Sequence, residues 1–251
     1  MRETVIPQGA QAALRAIRLL KLFTSEVPEL QLAELADMSG LNKTTTHRLL
    51  QALLSEELLE RNPATSAYRL GPGMMALGVQ ALSGNQLRLR ARPLLKKLAD
   101  ETGETATLEV PIDDTMLILD EVTSKHLLGA SGNVGTRWPI HATSTGKALI
   151  AFEQNGPDRL RPPLLPLTSR TIIEDAALLR QLSDIRRRGF AETVDELEDG
   201  FSGVGAVVRG SMGEVLGALS ICGPSSRLSD SRRAQLGATL CSAATRLQPR
   251  Y

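Results

Sequence analysis

Apolar residues in the first quarter of the chain recur at helical spacing and are separated by turn residues. The first run extends from Ala12 to about Phe23 and predicts a helix. Its inner face would carry Ala13, Ala16, Ile17, Leu20 and Phe23. A second run, from about Leu32 to Met38, predicts a second and shorter helix.

The second helix and the helix after it have the register of a helix-turn-helix. Gly40 supplies the turn, because glycine adopts a positive φ without strain, and Asn42 is a favoured N-cap for the third helix. Ala36 is small enough for close packing, and Thr46 and Leu49 would anchor the third helix from its inner side. The hydroxyl of Thr46 must then bond back to a helix carbonyl.

The outward face of the third helix, which is predicted to end near Leu54, is polar. Its side chains can hydrogen-bond to bases or phosphates and are Asn42, Lys43, Thr44, Thr45, His47, Arg48 and Gln51. A polar surface helix in a three-helix bundle would show the same pattern. The next segment favours DNA binding, since Leu58–Arg61 and Tyr68–Leu70 predict a hairpin, or wing, whose Arg61 and Arg69 suit phosphate contacts.

A helix that is apolar on nearly every side is predicted after the hairpin. It opens at Gly71-Pro72, and its apolar residues are Met74, Met75, Ala76, Leu77, Val79, Ala81 and Leu82. A helix without a polar face must be covered on all sides. We therefore expect residues 74–87 to form a linker helix that packs against a second copy of the chain. The alternative is a core helix inside one chain.

From Arg88 onward, helical and strand patterns alternate. Helices are predicted at about 88–102, directly after Gly146, at about 176–188 and from Ser229 to near Leu247. Strands are predicted at 105–110, 115–122, 127–130, 204–208 and 215–221. The fold class is therefore α+β: a winged helix-turn-helix at 11–73, the linker helix at 74–87, and an α/β domain with a mainly antiparallel sheet at 88–251.

Composition narrows the class of protein. The length of 251 residues favours two domains, and a hydrophobic content of 42% is enough for a buried core. The net charge is only +1. Basic residues concentrate in two windows without acidic residues, between residues 37 and 56 and between 60 and 100, and this fits DNA contact. Cys222 and Cys241 lack metal or redox spacing, so we expect reduced thiols and neither a metal nor a cofactor. No apolar run could cross a membrane and no signal peptide is evident, which favours the cytoplasm.

Motifs along nearly the whole chain resemble the IclR family of bacterial transcription regulators. The N-terminal segments that resemble its DNA-binding domain are Leu32–Ala36, Gly40–Leu50 and Tyr68–Gly71. The C-terminal segments are Pro139–Ala148, Arg186–Phe190, Glu196–Gly200 and Ser220–Pro224. The resemblance implies a GAF-like effector domain, homodimers or dimers of dimers, and a cleft for a small metabolite, often a carboxylate.

The resemblance also implies which residues line the effector cleft. They are Leu127, Ala130, Trp138, Ser144, Thr145, Gly146, Thr193, Glu196, Gly203, Ser220 and Cys222. Residues 144–146 open a helix, where free N–H groups and the positive dipole end suit an anion. Thr193, Gly203 and Cys222 depart from the family pattern, so the identity of the effector does not transfer. We expect a small carboxylate or an aromatic metabolite, on which Trp138 either stacks or acts only as core filler.

An enzyme is the competing class. Ser144 and Lys147 match the Ser-x-x-Lys motif of penicillin-binding enzymes, which would suggest a hydrolase, but the sequence lacks the accompanying Ser-Asp-Asn and Lys-Thr-Gly motifs. His126 and His141 could act as acid or base, yet no partnered nucleophile is evident. A winged helix used only for protein contacts would not need the basic windows. We therefore interpret the chain as a DNA-binding transcription regulator, a repressor rather than an activator, whose operator affinity responds to an effector.

Overall fold

A computed structural model of the chain describes residues 9–24, 26–126 and 134–248. The chain divides into two compact units, Met1–Gly84 and Asn85–Tyr251. Each unit has its own buried core. In the described ranges, no helix is both long enough and apolar enough to cross a membrane.

The N-terminal unit consists of three helices, a hairpin and a fourth helix. Its elements are α1 (Gln11–Leu20), α2 (Leu32–Ser39), α3 (Lys43–Ser55), β1 (Leu59–Arg61), β2 (Tyr68–Leu70) and α4 (Pro72–Gly84). Helix α2 starts with a capping box between Gln31 and Glu34 and ends at Gly40, which has a φ of 67°. The Asn42 side chain accepts a hydrogen bond from the backbone N–H of Thr45 at 2.8 Å, and α3 starts there. The predicted turn and N-cap are both confirmed.

Helices α1, α2 and α3 and the hairpin contribute to the core of this unit. Its buried members include Leu19, Leu30, Leu35, Leu50, Leu53, Leu59 and Tyr68. The inner face predicted for α1 is partly wrong, because Leu19 is fully buried whereas Ala13 and Ile17 are exposed. Helix α1 ends at Leu20, so Phe23 reaches the core from the turn that follows and does not extend the predicted helical stripe.

Helix α4 leaves large apolar side chains exposed. Met75, Leu77 and Val79 are 67%, 54% and 62% exposed, and no residue of the helix is buried. Exposed apolar side chains of this size are uncommon in a helix that packs inside its own domain. The helix is therefore not a core helix of the N-terminal unit.

The C-terminal unit is built on one six-stranded sheet. Its elements are α5 (Gln86–Thr102), β3 (Thr105–Ile112), β4 (Thr115–Val122), β5 (Arg137–Pro139), α6 (Ser144–Phe152), a 3-10 helix (Gly156–Arg159), α7 (Asp175–Arg188), β6 (Ala191–Val194), β7 (Phe201–Arg209), β8 (Val215–Pro224) and α8 (Asp230–Leu247). The strand order is β5-β4-β3-β8-β7-β6, and every neighbouring pair is antiparallel. The mainly antiparallel sheet is thus confirmed. Strands β5 and β6 were not predicted, and the strand predicted at 127–130 lies outside the described residues.

Helices cover the sheet and leave a polar layer inside the unit. Leu108 and Ile221 are fully buried, while their neighbours Glu109 and Ser220, which alternate with them along β3 and β8, are also almost completely buried. Helix α6 packs on the face that carries these polar side chains, and its Thr145 donates a hydrogen bond to Glu109. Helices α5 and α8 pack together and also contact the sheet. Buried polar side chains of this kind indicate a candidate functional site in this unit.

Candidate DNA interface and ligand cavity

Helix α3 exposes the polar face that the sequence predicts. Its inner side is fixed by Thr46, which is fully buried and whose hydroxyl donates to the carbonyl oxygen of Asn42 at 3.0 Å. The exposed side chains are Asn42, Lys43, Thr44, His47, Arg48 and Gln51, whereas Thr45 is half-buried. Among the described residues of this unit, ion pairs form at Arg69 and not at Lys43 or Arg48. The two cationic side chains of α3 are therefore available to an external anion.

The two arginines of the wing differ in their surroundings. The Nε of Arg69 donates to Oε1 of Glu60 at 2.6 Å, and its Nη1 donates to Oε1 of Glu29 at 3.3 Å. Arg61 is exposed and its guanidinium lies 5.1 Å from the centre of the Tyr68 ring. A phosphate would compete with two carboxylates for Arg69, whereas Arg61 keeps its charge available.

A cavity opens in the C-terminal unit between the start of α6 and the sheet. It has a volume of about 140 Å³, close to the roughly 150 Å³ of an engineered cavity that binds benzene, so it suits a small molecule. The predicted effector residues that line it are Trp138, Ser144, Thr145, Thr193, Gly203, Ser220 and Cys222. The lining residues that the sequence did not single out are Thr107, Glu109, Ile118, Ala142, Thr143, Leu197, Glu198 and Phe201.

Glu109 is the centre of a hydrogen-bonded network in this cavity. Thr145 donates from its hydroxyl to Oε2 of Glu109 at 2.7 Å, and Thr107 donates to Oε1 at 2.8 Å. The hydroxyls of Thr107 and Ser220 are 2.7 Å apart. Burial raises the pKa of Glu109, and the two threonine hydrogen bonds oppose this effect because they stabilise the charged carboxylate. The thiol of Cys222 is also buried, which raises its pKa.

We expect Glu109→Gln to change how stability depends on pH. Because the folded-state pKa of Glu109 is raised, its contribution to stability is fully present below the unfolded pKa and is lost as pH rises through the folded pKa. Glutamine has no proton to lose. The free energy of unfolding of the wild type, relative to the variant, should therefore fall as the solution goes from about pH 5 to about pH 8.

Urea unfolding of both proteins across this range measures the difference directly. The matched control is Glu198→Gln, which changes an exposed carboxylate in the lining of the same cavity and should keep the pH trend of the wild type. Parallel pH curves for the wild type and Glu109→Gln would contradict the expected role of the buried proton.

The start of α6 forms one wall of the cavity, but the chain itself uses some of its donors. The N–H of Gly146 donates to Oγ1 of Thr143 at 3.1 Å, and the N–H of Lys147 donates to the carbonyl oxygen of Thr143 at 2.9 Å. The N–H groups of Gly146 and Lys147 are therefore not available to a ligand. The predicted anion site is therefore smaller than a full first turn would offer.

Gly203 keeps the cavity open beside this helix start. A Cβ at Gly203 would lie 3.0 Å from Oγ of Ser144 and 3.5 Å from Oγ1 of Thr193. Any larger residue would extend further into the same space. The absence of a side chain at Gly203 therefore leaves this space to the cavity.

Some predicted site residues lie elsewhere. Gly146 and Glu196 are not among the residues that line the cavity, and Leu127 and Ala130 lie outside the described residues. The carboxylate of Glu196 instead accepts a hydrogen bond from Nζ of Lys147 inside the unit. The same Nζ donates to Oε1 of Gln181 at 2.6 Å.

This placement removes the geometric basis of the hydrolase alternative. A Ser-x-x-Lys mechanism needs the lysine amine free to activate the serine. Lys147 is fully buried, its amine is held by Glu196 and Gln181, and the residue does not line the cavity beside Ser144. Burial lowers the pKa of Lys147, while the nearby carboxylate of Glu196 opposes this effect.

Comparison with known proteins accounts for both units. The profile described as "IclR helix-turn-helix domain" matches residues 12–63, and the one described as "Bacterial transcriptional regulator IclR C-terminal" matches residues 79–248. The chain belongs to the IclR family of bacterial transcription regulators. It is therefore a DNA-binding regulator with a C-terminal effector-binding domain, in a family that consists of regulators and not of enzymes.

Individual relatives of this IclR-family chain agree in sequence and in fold. The HTH-type transcriptional regulator BhcR of Paracoccus denitrificans is 32% identical over 244 residues, which cover 95% of this chain and 86% of the relative. The transcriptional repressor IclR of Escherichia coli is 29% identical over 246 residues, which cover 96% and 90%. The crystal structure of an IclR transcriptional regulator from Silicibacter has a TM-score of 0.85 at 26% identity and covers 94% of both chains.

One solved IclR homologue carries a ligand. The protein from Microbacterium hydrocarbonoxydans, crystallised with 4-hydroxybenzoate, has a TM-score of 0.78 at 25% identity, and the match covers 94% of this chain and 97% of that one. A fold of this family can therefore hold a small aromatic molecule.

Proposed function

We propose that this chain is a repressor that reads double-stranded operator DNA with α3 and the wing, and that a small molecule in the C-terminal cavity changes its operator affinity. The observation that carries the first half is the exposed face of α3, where Lys43 and Arg48 stand free of ion pairs within the described residues. Phosphates would hold the domain in register and the polar side chains would contact base edges. The names of relatives such as the Escherichia coli transcriptional repressor support repression over activation.

The DNA-contacting residues of the proposal are those predicted from the sequence. On α3 and its cap they are Asn42, Lys43, Thr44, Thr45, His47, Arg48 and Gln51. In the wing, Arg61 is the stronger candidate because Arg69 is shared with Glu60 and Glu29. We assign Thr45 a lesser role than its neighbours, since its side chain is half-buried.

The effector half of the proposal rests on the cavity beside α6. The cavity lining includes the apolar side chains of Trp138, Ile118 and Phe201, which suit an aromatic group, and several hydroxyls that can form hydrogen bonds with it. The ligand of the Microbacterium homologue supports an effector of this size and class. We propose that the domain acts by binding alone, without a cofactor and without catalysis.

The apolar surface of α4 supports a homodimer or a dimer of dimers. Exposed Met75, Leu77 and Val79 would be covered by the same helix of a second copy, and a symmetric dimer suits a symmetric operator. The linker role of residues 74–87 and the division at 11–73 and 88–251 belong to this proposal. As a bacterial regulator of DNA, the protein would work in the cytoplasm.

The test is Arg48→Ala in the full chain. Because Arg48 is exposed and would contact DNA, the substitution should weaken operator binding by about 1–3 kcal/mol and reduce its dependence on salt. Fluorescence anisotropy on an operator selected from genomic fragments gives both quantities. The matched control is Arg187→Ala, which removes a 75% exposed arginine of α7 and should leave the affinity unchanged.

Two outcomes would contradict the proposed recognition helix. One is an Arg48→Ala variant that binds the operator as tightly as the wild type. The other is an equal loss in the Arg187→Ala variant, because a nonspecific charge effect would then explain the result. Analytical ultracentrifugation of both variants checks that the oligomeric state is unchanged.

A further inference from the structure

The hydroxyl groups around Glu109 form a chain whose protons can be counted. The hydroxyl of Thr145 is 2.7 Å from Oε2 of Glu109, and the hydroxyl of Thr107 is 2.8 Å from Oε1. The hydroxyl of Thr107 also lies 2.7 Å from that of Ser220, and either of the two can be the donor. Three hydrogen bonds thus join one carboxyl group to three hydroxyl groups, each of which carries one proton.

This chain borders the cavity through its side chains. Thr107 and Glu109 on β3 line the cavity, whereas Leu108 between them does not. The same alternation on β8 brings Ser220 to the cavity and leaves Ile221 out. Successive side chains of a strand point to opposite faces, so these residues contribute their side chains to the lining. A ligand in the cavity would therefore meet the carboxyl and hydroxyl groups of the chain.

The number of free protons in the chain depends on whether Glu109 is charged. A carboxylate cannot donate, so both threonines direct their protons to it, and Ser220 must then donate to Thr107. All three hydroxyl protons are used in this state, and none is left for a ligand. A neutral Glu109 adds a fourth proton to the same three hydrogen bonds. One proton, from the acid or from a hydroxyl, is then free for an acceptor on a ligand.

The surroundings of Glu109 favour the neutral acid. Burial raises its pKa, although the hydrogen bonds from the two threonines oppose this effect. In the described part of the chain, the titratable side chains that share its face of the sheet or line the cavity are Glu121 on β4, Cys222 on β8 and Glu198. None of them can supply a positive charge. Lys147 on α6 bonds Glu196 instead and does not line the cavity.

We propose that Glu109 acts as a neutral acid in this cavity, and that its proton supplies the hydrogen bond through which the cavity recognises a carboxylate group of the ligand. The described lining contains no lysine, arginine or histidine, and residues 127–133 contain no charged residue in their sequence. A carboxylate would therefore be held by hydrogen bonds and not by an ion pair. This inference rests on the proposed effector role of the cavity.

Binding of a carboxylate should then be coupled to pH. A ligand carboxylate beside Glu109 raises the pKa of this acid further, because it disfavours a second negative charge. The affinity is fully present below the pKa that Glu109 has in the free protein, and it is lost as pH rises through the higher pKa of the complex. Between these two values the dissociation constant should rise by about tenfold per pH unit.

The experiment compares matched ligands on the full-length protein between about pH 5 and about pH 8. Two pairs serve as probes: benzoate with benzyl alcohol, and propionate with propanol. Isothermal titration calorimetry in two buffers of different ionisation enthalpy gives the dissociation constant and the number of protons taken up. The proteins are the wild type, Glu109→Gln and Glu198→Gln. The last variant is the matched control, since it removes an exposed carboxylate from the same lining.

We expect the wild type to bind at least one of the two carboxylates with proton uptake and with an affinity that falls as pH rises. The matching alcohol can donate or accept, so its affinity should change by less than about twofold. In Glu109→Gln the amide always carries donor protons. This variant should therefore keep the affinity for the carboxylate across the range, without proton uptake. Glu198→Gln should keep the pH dependence of the wild type.

Three results would overturn the inference. The first is a wild type whose carboxylate affinity does not change with pH. The second is a pH dependence that persists in Glu109→Gln or disappears in Glu198→Gln, and the third is a wild type that binds neither carboxylate at the acidic end of the range. If Glu109→Gln does not fold, proton uptake by the wild type and by Glu198→Gln still decides, because Glu109 and Glu198 are the carboxyl groups of the described lining.

The outcome for operator binding separates this inference from the proposed function. A carboxylate that releases the protein from its operator without proton uptake would overturn the inference yet support the proposed function. Operator binding that no small molecule alters would overturn the proposed function itself.

Discussion

Replacing Lys147 with methionine should destabilise the C-terminal unit by about 3–5 kcal/mol. Lys147 is fully buried and its amine bonds Glu196, which is only 4% exposed. Methionine occupies a similar volume but leaves the carboxylate of Glu196 buried without a counter-charge. The N–H of Ile172, at 3.4 Å from Oε2 of Glu196, is too weak a partner to replace the ammonium group.

Tryptophan fluorescence reports this unit specifically, because Trp138 is the single tryptophan of the chain. The matched control is Arg187→Met, which breaks an ion pair with Asp184 in which both side chains are more than half exposed. It should cost less than about 1 kcal/mol. The double variant Lys147→Met with Glu196→Leu should regain much of the loss, since no charge then remains buried. Equal losses in Lys147→Met and Arg187→Met would contradict this account.

The Lys147–Glu196 pair also has a consequence for the cavity. Ser144 and Thr145 precede Lys147 on α6, and Leu197 and Glu198 directly follow Glu196 along the chain. The ion pair therefore links the start of α6 to the segment at 197–198, and both of these segments line the cavity. This is a different role from the ones that the sequence suggested, which were a ligand contact for Glu196 and a catalytic role for the lysine.

Local sequence signals were sufficient to predict the helix-turn-helix of the N-terminal unit. The turn at Gly40, the cap at Asn42 and the back-bonded hydroxyl of Thr46 each depend on contacts within four residues along the chain, so the residue type alone predicts them. The inner face of α1 was less predictable. It depends on where the helix ends, and the apolar residues around Leu19 and Phe23 are compatible with more than one helical stripe.

The cavity could be predicted only in part. The family resemblance placed several residues at a cleft, and the structure shows that a cavity exists there. Those that line it include Ser144, Thr145, Thr193, Gly203 and Ser220. Glu109 was missed because an acidic residue in an alternating strand ordinarily faces solvent. Its burial results from the packing of α6 on β3, a contact between residues 36 positions apart in the sequence.

Gly146→Ala should be the most damaging substitution of a small residue in α6. A Cβ at this position would lie 2.1 Å from the carbonyl oxygen and 2.6 Å from the Cα of Ile140, so the clash is with backbone that cannot rotate away. We expect a loss of about 3 kcal/mol, at the upper end for overpacking. The start of α6 would have to move away from residue 140, and Ser144 and Thr145 would move with it. Ligand binding should therefore weaken as well.

Gly78→Ala is the control, because it makes the same change inside another helix. A Cβ on Gly78 of α4 meets no atom of the described residues within 4 Å. Its higher helix propensity favours α4 by about 0.5–1 kcal/mol, so Gly78→Ala should cost far less than Gly146→Ala. Trp138 fluorescence follows the first variant and circular dichroism follows the second during urea unfolding. If both substitutions stabilise their helices, the close approach of α6 to Ile140 is not the reason for glycine at position 146.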